Sequence, residues 1–115
     1  GDLAAKSTKD VAISSTCTVF AESEVISQLA MDTDTCDIIN GIHHSVAARV
    51  AGLAHRVGVR EKVVMTGGVA QNSGVVKALE EELGHEIHTS PLTQYNGALG
   101  AALFDYQRYL KEQKD

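Results

Sequence analysis

Two short apolar segments joined by a helical segment say more about the fold than any other part of the chain. The first, Lys62 to Thr66, is rich in β-branched residues and ends at the adjacent glycines Gly67 and Gly68. This combination is typical of a buried parallel strand. After the helical segment, Glu86 to Thr89 has the pattern of a second strand. Two strands connected through a helix predict a right-handed parallel βαβ unit.

Helical periodicity covers most of the remaining chain. One helix is predicted over Val19 to Ala30, and a longer one runs to Val57 with Asp37 as its expected N-cap. Asn72 is the expected N-terminal cap of the helix between the strands, which is expected to end at Gly84, and a final helix is predicted over about residues 96–112. The predicted inner face of the longest helix consists of Ile38, Ile42, Val46, Val50, Leu53 and Val57. The predicted apolar side of the final helix consists of Leu99, Leu103, Tyr106 and Leu110.

Two strands are too few for about four helices. Two adjacent parallel strands cannot cover the helices around them, and sheets usually carry about four to six strands. A chain of 115 residues can bury one modest core. We therefore expect an α/β chain with an incomplete sheet, whose other strands lie outside this sequence. In isolation such a piece should expose a strand edge and aggregate.

The composition excludes several classes of partner. The net charge of −5, with no basic stripe, argues against binding to nucleic acid or to an anionic membrane. No apolar run approaches the length of a membrane span, and the N-terminal residues have no hydrophobic signal core. A cytoplasmic location is therefore expected. Two cysteines, separated by a predicted helix, do not predict an internal disulfide.

Cys17 lies where the polar stretch Ser14 to Thr16 gives way to the first long helix. At a helix N-terminus, the helix dipole and unpaired backbone N–H groups stabilise a thiolate, which suits the sulfur for nucleophilic attack or metal ligation. The alternative is that Cys17 is a small hydrophobic residue filling a gap between helices. Its position alone does not decide between these interpretations.

The glycine pair lies at the end of a predicted strand and immediately before a helix. Glycines there let a ligand approach the backbone and direct N–H groups toward it, and a nucleotide is a suitable ligand. The spacing is neither a dinucleotide fingerprint nor a P-loop, because Gly67 and Gly68 are adjacent and no Lys-Ser or Lys-Thr pair follows. A tight turn without any ligand would have the same sequence.

The other candidate groups favour structural roles. Glu22 projects into the apolar arc of its helix, where pairing with a structural partner is expected. The five histidines do not predict a metal site. His44 and His55 lie about three helical turns apart, and His85 and His88 should point to opposite sides. All five are expected to be surface or packing residues.

Three blocks carry a resemblance to a known family. Ser15 to Val25, Val64 to Asn72, and Gln94 to Leu103 together resemble the activator ATPases of 2-hydroxyacyl-CoA dehydratases and the related ATP-binding subunits of benzoyl-CoA reductase. The blocks occur in family order, and the similarity extends over essentially the whole chain.

The resemblance implies the actin, Hsp70 and sugar kinase ATPase fold, in which two ribonuclease-H-like halves close on ATP and Mg²⁺. Residues 1–115 resemble the C-terminal portion of one such ATPase domain. The family's phosphate-binding loops, an early Asp-x-Gly-Ser-Thr and a later Asp-x-Gly-Gly-Gln-Asp, have no counterpart here. These residues alone are therefore not expected to hydrolyse ATP.

The resemblance also implies an adenosine-contacting motif over about residues 62–73. Its expected nucleotide contacts are Gly67, Gly68, Val69, Ala70 and Gln94. A cluster-ligand helix is implied over about residues 15–31. In such activators one [4Fe-4S] cluster bridges two identical subunits, each of which contributes two cysteines. Cys17 matches the second of these, whereas the first has no counterpart and the neighbours of Cys36 do not match.

The function implied is ATP-dependent activation, in which a homodimer delivers a low-potential electron from a ferredoxin or flavodoxin to a 2-hydroxyacyl-CoA dehydratase. Two alternatives remain open. One is part of a cluster-free phosphotransferase of the same superfamily, in which Cys17 is merely packed. The other is a non-enzymatic nucleotide-binding module that docks to a partner.

Overall fold

A two-stranded parallel sheet and the helix between its strands form the centre of the structure, a computed structural model that describes residues 1–114. The described residues form α1 (Thr18–Ala30), α2 (Thr35–Val57), β1 (Val63–Val64), α3 (Ser73–Leu83), β2 (Ile87–His88) and α4 (Asn96–Lys114). Short 3₁₀ turns occupy Ala4–Lys6, Gly68–Gln71 and Thr93–Tyr95. The order of helices and strands is as predicted.

The parallel pairing predicted for the two strands is confirmed. Val63 pairs with Ile87 and Val64 with His88. Both strands are shorter than predicted, although the Met65 amide still donates a hydrogen bond of 3.0 Å to the His88 carbonyl. Val64 is 65% exposed, so β1 is not the buried strand that its composition predicted.

Helix α3 is capped at both ends as its sequence predicts. The Asn72 side-chain oxygen accepts hydrogen bonds from the amides of Gly74 and Val75, at 3.1 and 3.4 Å. At the other end, Gly84 adopts the left-handed conformation with φ 68°. These caps satisfy backbone groups that have no partner within the helix.

The hydrophobic core lies between α2, α3 and β2. Its buried members are Ala47, Ala51, Ala78, Leu79, Leu83 and Ile87. Helix α2 contributes alanines to this core, so the small side chains let the two helices approach closely. The larger apolar residues of α2 lie mostly elsewhere.

The predicted inner face of α2 is therefore wrong over most of its length. Ile38 is buried, but the residues from Val46 to Val57 in that stripe are 42–89% exposed. The apolar residues of the predicted face do recur with the period of a helix. The face of α2 that packs against α3, however, is the one that carries Ala47 and Ala51. Helical period shows which residues share a face and not which face meets the neighbouring helix.

The N-cap of α2 is Asp34 and not Asp37. The Asp34 carboxylate accepts a hydrogen bond of 2.7 Å from the Cys36 amide. Asp37 lies inside the first turn and is only 2% exposed. Its Oδ1 accepts from the Ser7 hydroxyl at 2.8 Å and from the amides of Thr8 and Lys9 at 2.7 and 3.0 Å. Asp37 therefore holds the N-terminal segment against α2.

Helix α1 begins and ends close to its predicted bounds, but most of its large apolar residues face outward. Ile26 and Leu29 are exposed, whereas Glu24 and Gln28 are partly covered. The covered polar groups have partners, since Glu24 accepts from the Ser14 amide and Gln28 from the Thr33 hydroxyl. Glu22 is exposed and has no hydrogen-bond or ion-pair partner within residues 1–114, so the pairing expected for it is absent there.

Helix α4 projects away from the core and gives the described residues extents of 69 × 26 × 25 Å. It runs to Lys114, two residues beyond its predicted end at about residue 112. All four residues of its predicted apolar side are exposed, because the main packing contact of α4 is at its start, with Thr93–Tyr95. None of the described helices has the length and hydropathy needed to span a bilayer.

Candidate functional site

The glycine pair forms a turn that begins in the left-handed region of backbone conformation. Gly67 has φ 99° and ψ 174°, a combination open essentially to glycine alone. Among the described residues, a Cβ added at Gly67 or at Gly68 would meet no atom within 4 Å. The backbone of this turn is therefore accessible from outside, as ligand binding requires.

Thr93 fixes the position of this turn. Its backbone carbonyl accepts a hydrogen bond of 2.9 Å from the Gly67 amide, and its hydroxyl donates one of 3.0 Å to the Met65 carbonyl. The Thr93 side chain is nearly covered, with 4% of the residue exposed. The two bonds tie the end of β1 to the segment before α4.

The two hydrogen bonds of Thr93 bring the remaining predicted nucleotide contacts into one region. Gln94 lies in the Thr93–Tyr95 turn, which packs against the Gly68–Gln71 turn. Val69 and Gln94 are exposed and accessible to a ligand. Ala70, in contrast, is buried, with 5% of the residue exposed, so it offers a ligand little surface within residues 1–114.

His43 of α2 supports the helix that follows the turn. Its Nε2 lies 3.5 Å from the Asn72 amide nitrogen, and the residue is 8% exposed. Burial lowers the pKa of His43, which favours the neutral ring that accepts from Asn72. Its Nδ1 is buried without a hydrogen-bond partner among residues 1–114. His43 is thus the packing residue that its sequence context predicted.

Cys17 occupies the N-cap position of α1, as predicted. It has φ −150° and ψ 140°, and its carbonyl accepts a hydrogen bond of 3.0 Å from the Ala21 amide. Its thiol is exposed and makes no capping hydrogen bond among the described residues. The alternative that Cys17 fills a gap between helices therefore does not hold within residues 1–114.

An apolar groove between α1 and α2 opens beside Cys17. It has a volume of about 520 Å³. Its walls include Ala21 and Val25 of α1 together with Val46 and Val50 of α2. Part of the stripe that was predicted to face the core thus lines this groove instead.

The loop before Cys17 is held by both neighbouring helices. The Arg49 guanidinium donates a hydrogen bond of 2.8 Å to the Ser15 carbonyl, and Glu24 accepts from the Ser14 amide. The Thr16 amide donates to the Ser14 hydroxyl at 3.3 Å. Neither Arg49 nor Thr93 was identified from the sequence, because their partners lie 34 and 28 residues away along the chain.

The described residues provide one thiol suited to an iron–sulfur cluster and not a complete ligand set. They hold no group of three or more His, Cys, Asp or Glu side chains that could bind a metal ion. Burial, and next a hydrogen bond with Asp34, raises the pKa of the Cys36 thiol and disfavours its thiolate form. Cys17, exposed at a helix N-terminus, fits a single cysteinyl ligand position. Further ligands would have to come from outside residues 1–114.

Comparison with known proteins decides the family. The model of the BadF/BadG/BcrA/BcrD ATPase family matches residues 1–105. The chain belongs to this family. The match confirms the resemblance inferred from the three sequence blocks, and the described helices and parallel sheet form part of an actin-like ATPase fold.

Relatives within the BadF/BadG/BcrA/BcrD ATPase family are similar over nearly the whole chain. The (R)-2-hydroxyglutaryl-CoA dehydratase activating ATPase of Acidaminococcus fermentans is 73% identical over 110 residues, covering 96% of this chain and 42% of the relative. The crystal structure of component A of that dehydratase has a TM-score of 0.90 at 74% identity, covering 93% of this chain and 41% of that one.

A second solved structure carries a nucleotide. The activator of the 2-hydroxyisocaproyl-CoA dehydratase from Clostridium difficile, with bound ADPNP, has a TM-score of 0.95 and 51% identity. The match covers 99% of this chain and 42% of that one. The chain thus spans about two-fifths of the length of the relatives that it matches.

Proposed function

We propose that this chain belongs to an ATP-dependent activator that delivers a low-potential electron to a 2-hydroxyacyl-CoA dehydratase. The observation that carries the proposal is the exposed Cys17 thiol at the N-terminus of α1. Electron delivery needs a redox centre, and this thiol has the exposure and the position expected of a cluster ligand. The relatives named as dehydratase activators support the partner.

ATP or ADP, with Mg²⁺, is the proposed nucleotide, and the Gly67–Gly68 turn is its proposed adenosine contact. The open backbone at both glycines provides access, and Thr93 holds the turn in position. Val69 and Gln94 contribute exposed side chains, and the buried Ala70 lies in the same turn as Val69. The relative with bound ADPNP supports this assignment, since its fold matches over 99% of the chain.

Cys17 is the proposed ligand of a [4Fe-4S] cluster shared between two copies of the protein. When bound, such a cluster supplies a one-electron store of low potential. The unpaired N–H groups and the dipole at the N-terminus of α1 stabilise the negative charge of the Cys17 thiolate. Two-fold symmetry brings the same surface of both subunits together, so each subunit can present the same thiol to one site.

Helix α2 is the element that contacts both proposed sites. Its residue His43 lies next to Asn72, which caps α3 after the Gly67–Gly68 turn. Its residue Arg49 donates a hydrogen bond to the loop before Cys17. We propose that ATP binding rotates the two subunits relative to each other. This rotation would move α1 together with Cys17 at its N-terminus. One electron then passes from a reduced ferredoxin or flavodoxin, through the activator, to the dehydratase. The proposed location of the protein is the cytoplasm.

Two other functions account for fewer of the observations. A cluster-free phosphotransferase of the same superfamily would not require an exposed thiol at the N-terminus of α1. A non-enzymatic nucleotide-binding module would use the open glycine turn but, like the phosphotransferase, would not require the exposed Cys17 thiol. Relatives described as dehydratase activators favour the electron-delivery function over both.

Iron analysis of the full-length protein, purified without oxygen, tests the proposal. A [4Fe-4S] cluster shared by two subunits gives about two iron atoms per subunit and a brown colour that is lost in air. Isothermal titration with ADP should detect binding in the same preparation. A colourless, iron-free protein that still binds ADP would refute electron delivery and leave a nucleotide-binding protein.

A further inference from the structure

The loop that leads into Cys17 is attached to two different helices at consecutive residues. Arg49 of α2 donates to the Ser15 carbonyl at 2.8 Å, and Glu24 of α1 accepts from the Ser14 amide. Cys17 follows two residues later in an extended conformation and begins α1. The position of its sulfur therefore depends on where these two residues hold the backbone.

Arg49 is well placed for this role because its own helix is anchored. Ala47 and Ala51, which flank Arg49 on α2, belong to the buried core. The backbone that carries Arg49 is therefore fixed against α3. The guanidinium group is charged at all physiological pH values and donates in a fixed geometry. A hydrogen bond from a charged donor to a carbonyl is stronger than one between neutral groups.

We infer that Arg49 is a positioning residue, which fixes the Cys17 thiolate by holding the Ser15 carbonyl, with Glu24 as its counterpart on α1. This inference rests on the proposed role of Cys17 as a cluster ligand. Arg49 also lines the same groove as Cys17, together with the oppositely charged Glu22, so the role assigned to Arg49 is positional.

The test compares Arg49→Gln with the matched control Arg56→Gln in the full-length protein. Arg56 is an exposed arginine of the same helix, and it has no hydrogen bond or ion pair among the described residues. Iodoacetamide alkylation of Cys17 is measured in protein stripped of iron by a chelator, at a pH where the thiol is fully ionised. Tandem mass spectrometry resolves the label at Cys17 from label at Cys36.

Because the Cys17 thiol is already exposed, loss of the Arg49 bond should change its alkylation rate by altering its position and surroundings, whereas Arg56→Gln should match the wild type. Glu24→Ala should change the rate as well, which provides a second variant if Arg49→Gln does not fold. In iron-loaded protein, the electron paramagnetic resonance spectrum of the reduced Arg49→Gln variant should differ from the wild-type spectrum, with ADP affinity unchanged.

The failures of the inference and of the proposed function are distinguishable. Wild-type protein without a cluster spectrum would refute the proposed function, while the alkylation rates would still test the positioning of Cys17. A wild-type cluster spectrum, together with wild-type alkylation rates and spectra in both Arg49→Gln and Glu24→Ala, would overturn the role assigned to Arg49.

Discussion

The amide of Gly67 donates a hydrogen bond of 2.9 Å to the carbonyl of Thr93, 26 residues further along the chain. This bond joins the glycine turn after β1 to the turn that precedes α4. It fixes the backbone at the residue whose conformation is open essentially to glycine alone, and it leaves the outer side of the turn accessible. The proposed nucleotide contact is therefore a backbone surface that is anchored to a distant segment of the chain.

The two glycines of the turn should respond differently to substitution by alanine. Gly67→Ala places a Cβ on a backbone with φ 99°, which costs about 1–3 kcal/mol, so both stability and ADP affinity should fall. Gly68 has no positive φ, so Gly68→Ala should keep wild-type stability and lose ADP affinity, because the new methyl group occupies the ligand side. Urea unfolding and isothermal titration measure the two effects. Wild-type ADP affinity in both variants would contradict the placement of the nucleotide.

Thr93→Val should destabilise the protein by about 1 kcal/mol, because the Met65 carbonyl loses its partner in a partly buried site. Thr93→Ser retains the hydroxyl and should recover most of that loss. The measurement is the free energy of unfolding in urea. Equal stability of the Val and Ser variants would show that the hydroxyl contributes nothing to the anchor.

Asp37 should make the stability of the protein depend on pH in the acidic range. Backbone and side-chain hydrogen bonds from Lys9, Ser7 and Thr8 lower the pKa of the Asp37 carboxyl from its ordinary value of 3.8. A lowered pKa in the folded state means that the stabilisation is fully present above about pH 4 and is lost as the pH falls through the folded-state pKa.

The Asp37→Asn variant tests this pH dependence. It should be less stable than the wild type at neutral pH, and the difference should shrink as the pH falls below about 4. Asp105→Asn, at an exposed position of α4, serves as the matched control and should keep the wild-type profile. A difference between wild type and Asp37→Asn that stays constant from pH 7 to pH 3 would refute the ionised carboxylate as the anchor.

The close approach of α2 and α3 predicts a sharp contrast between two alanines of α2. Ala51 is buried at 3% exposure, so Ala51→Leu should overpack the contact and cost about 1–3 kcal/mol. Ala48→Leu, at an exposed position of the same helix, should change stability by less than about 0.5 kcal/mol. Thermal unfolding of the two variants compares them directly. Equal melting temperatures would mean that the α2 face toward α3 has been assigned incorrectly.

Local sequence signals predicted the elements and the capping residues close to them in sequence. Asn72, Gly84 and the N-terminal position of Cys17 follow from residue preferences at helix ends, which act over a few residues. The orientation of α2 did not follow, because large apolar residues occupy one face and alanines the other. The predicted core assumed that the larger residues are buried, whereas the alanines Ala47 and Ala51 allow the close contact with α3.

The site was predictable where it depends on local sequence and hidden where it depends on contacts between distant residues. The glycine turn and Cys17 carry their signals within a few residues. Thr93 and Arg49 act on residues 28 and 34 positions away, and neither lies in a pattern that marks it as part of a site. Asp37 was misassigned as a cap because Asp34, three residues earlier, meets the same preference and lies at the actual start of the helix.

Electron paramagnetic resonance of full-length protein, purified without oxygen and reduced with dithionite, tests the central claim most directly. The account predicts a cluster signal in the wild type and in Cys36→Ala, and its loss in Cys17→Ala. A wild-type signal that persists unchanged in Cys17→Ala would contradict the account, because Cys17 would then not be a ligand.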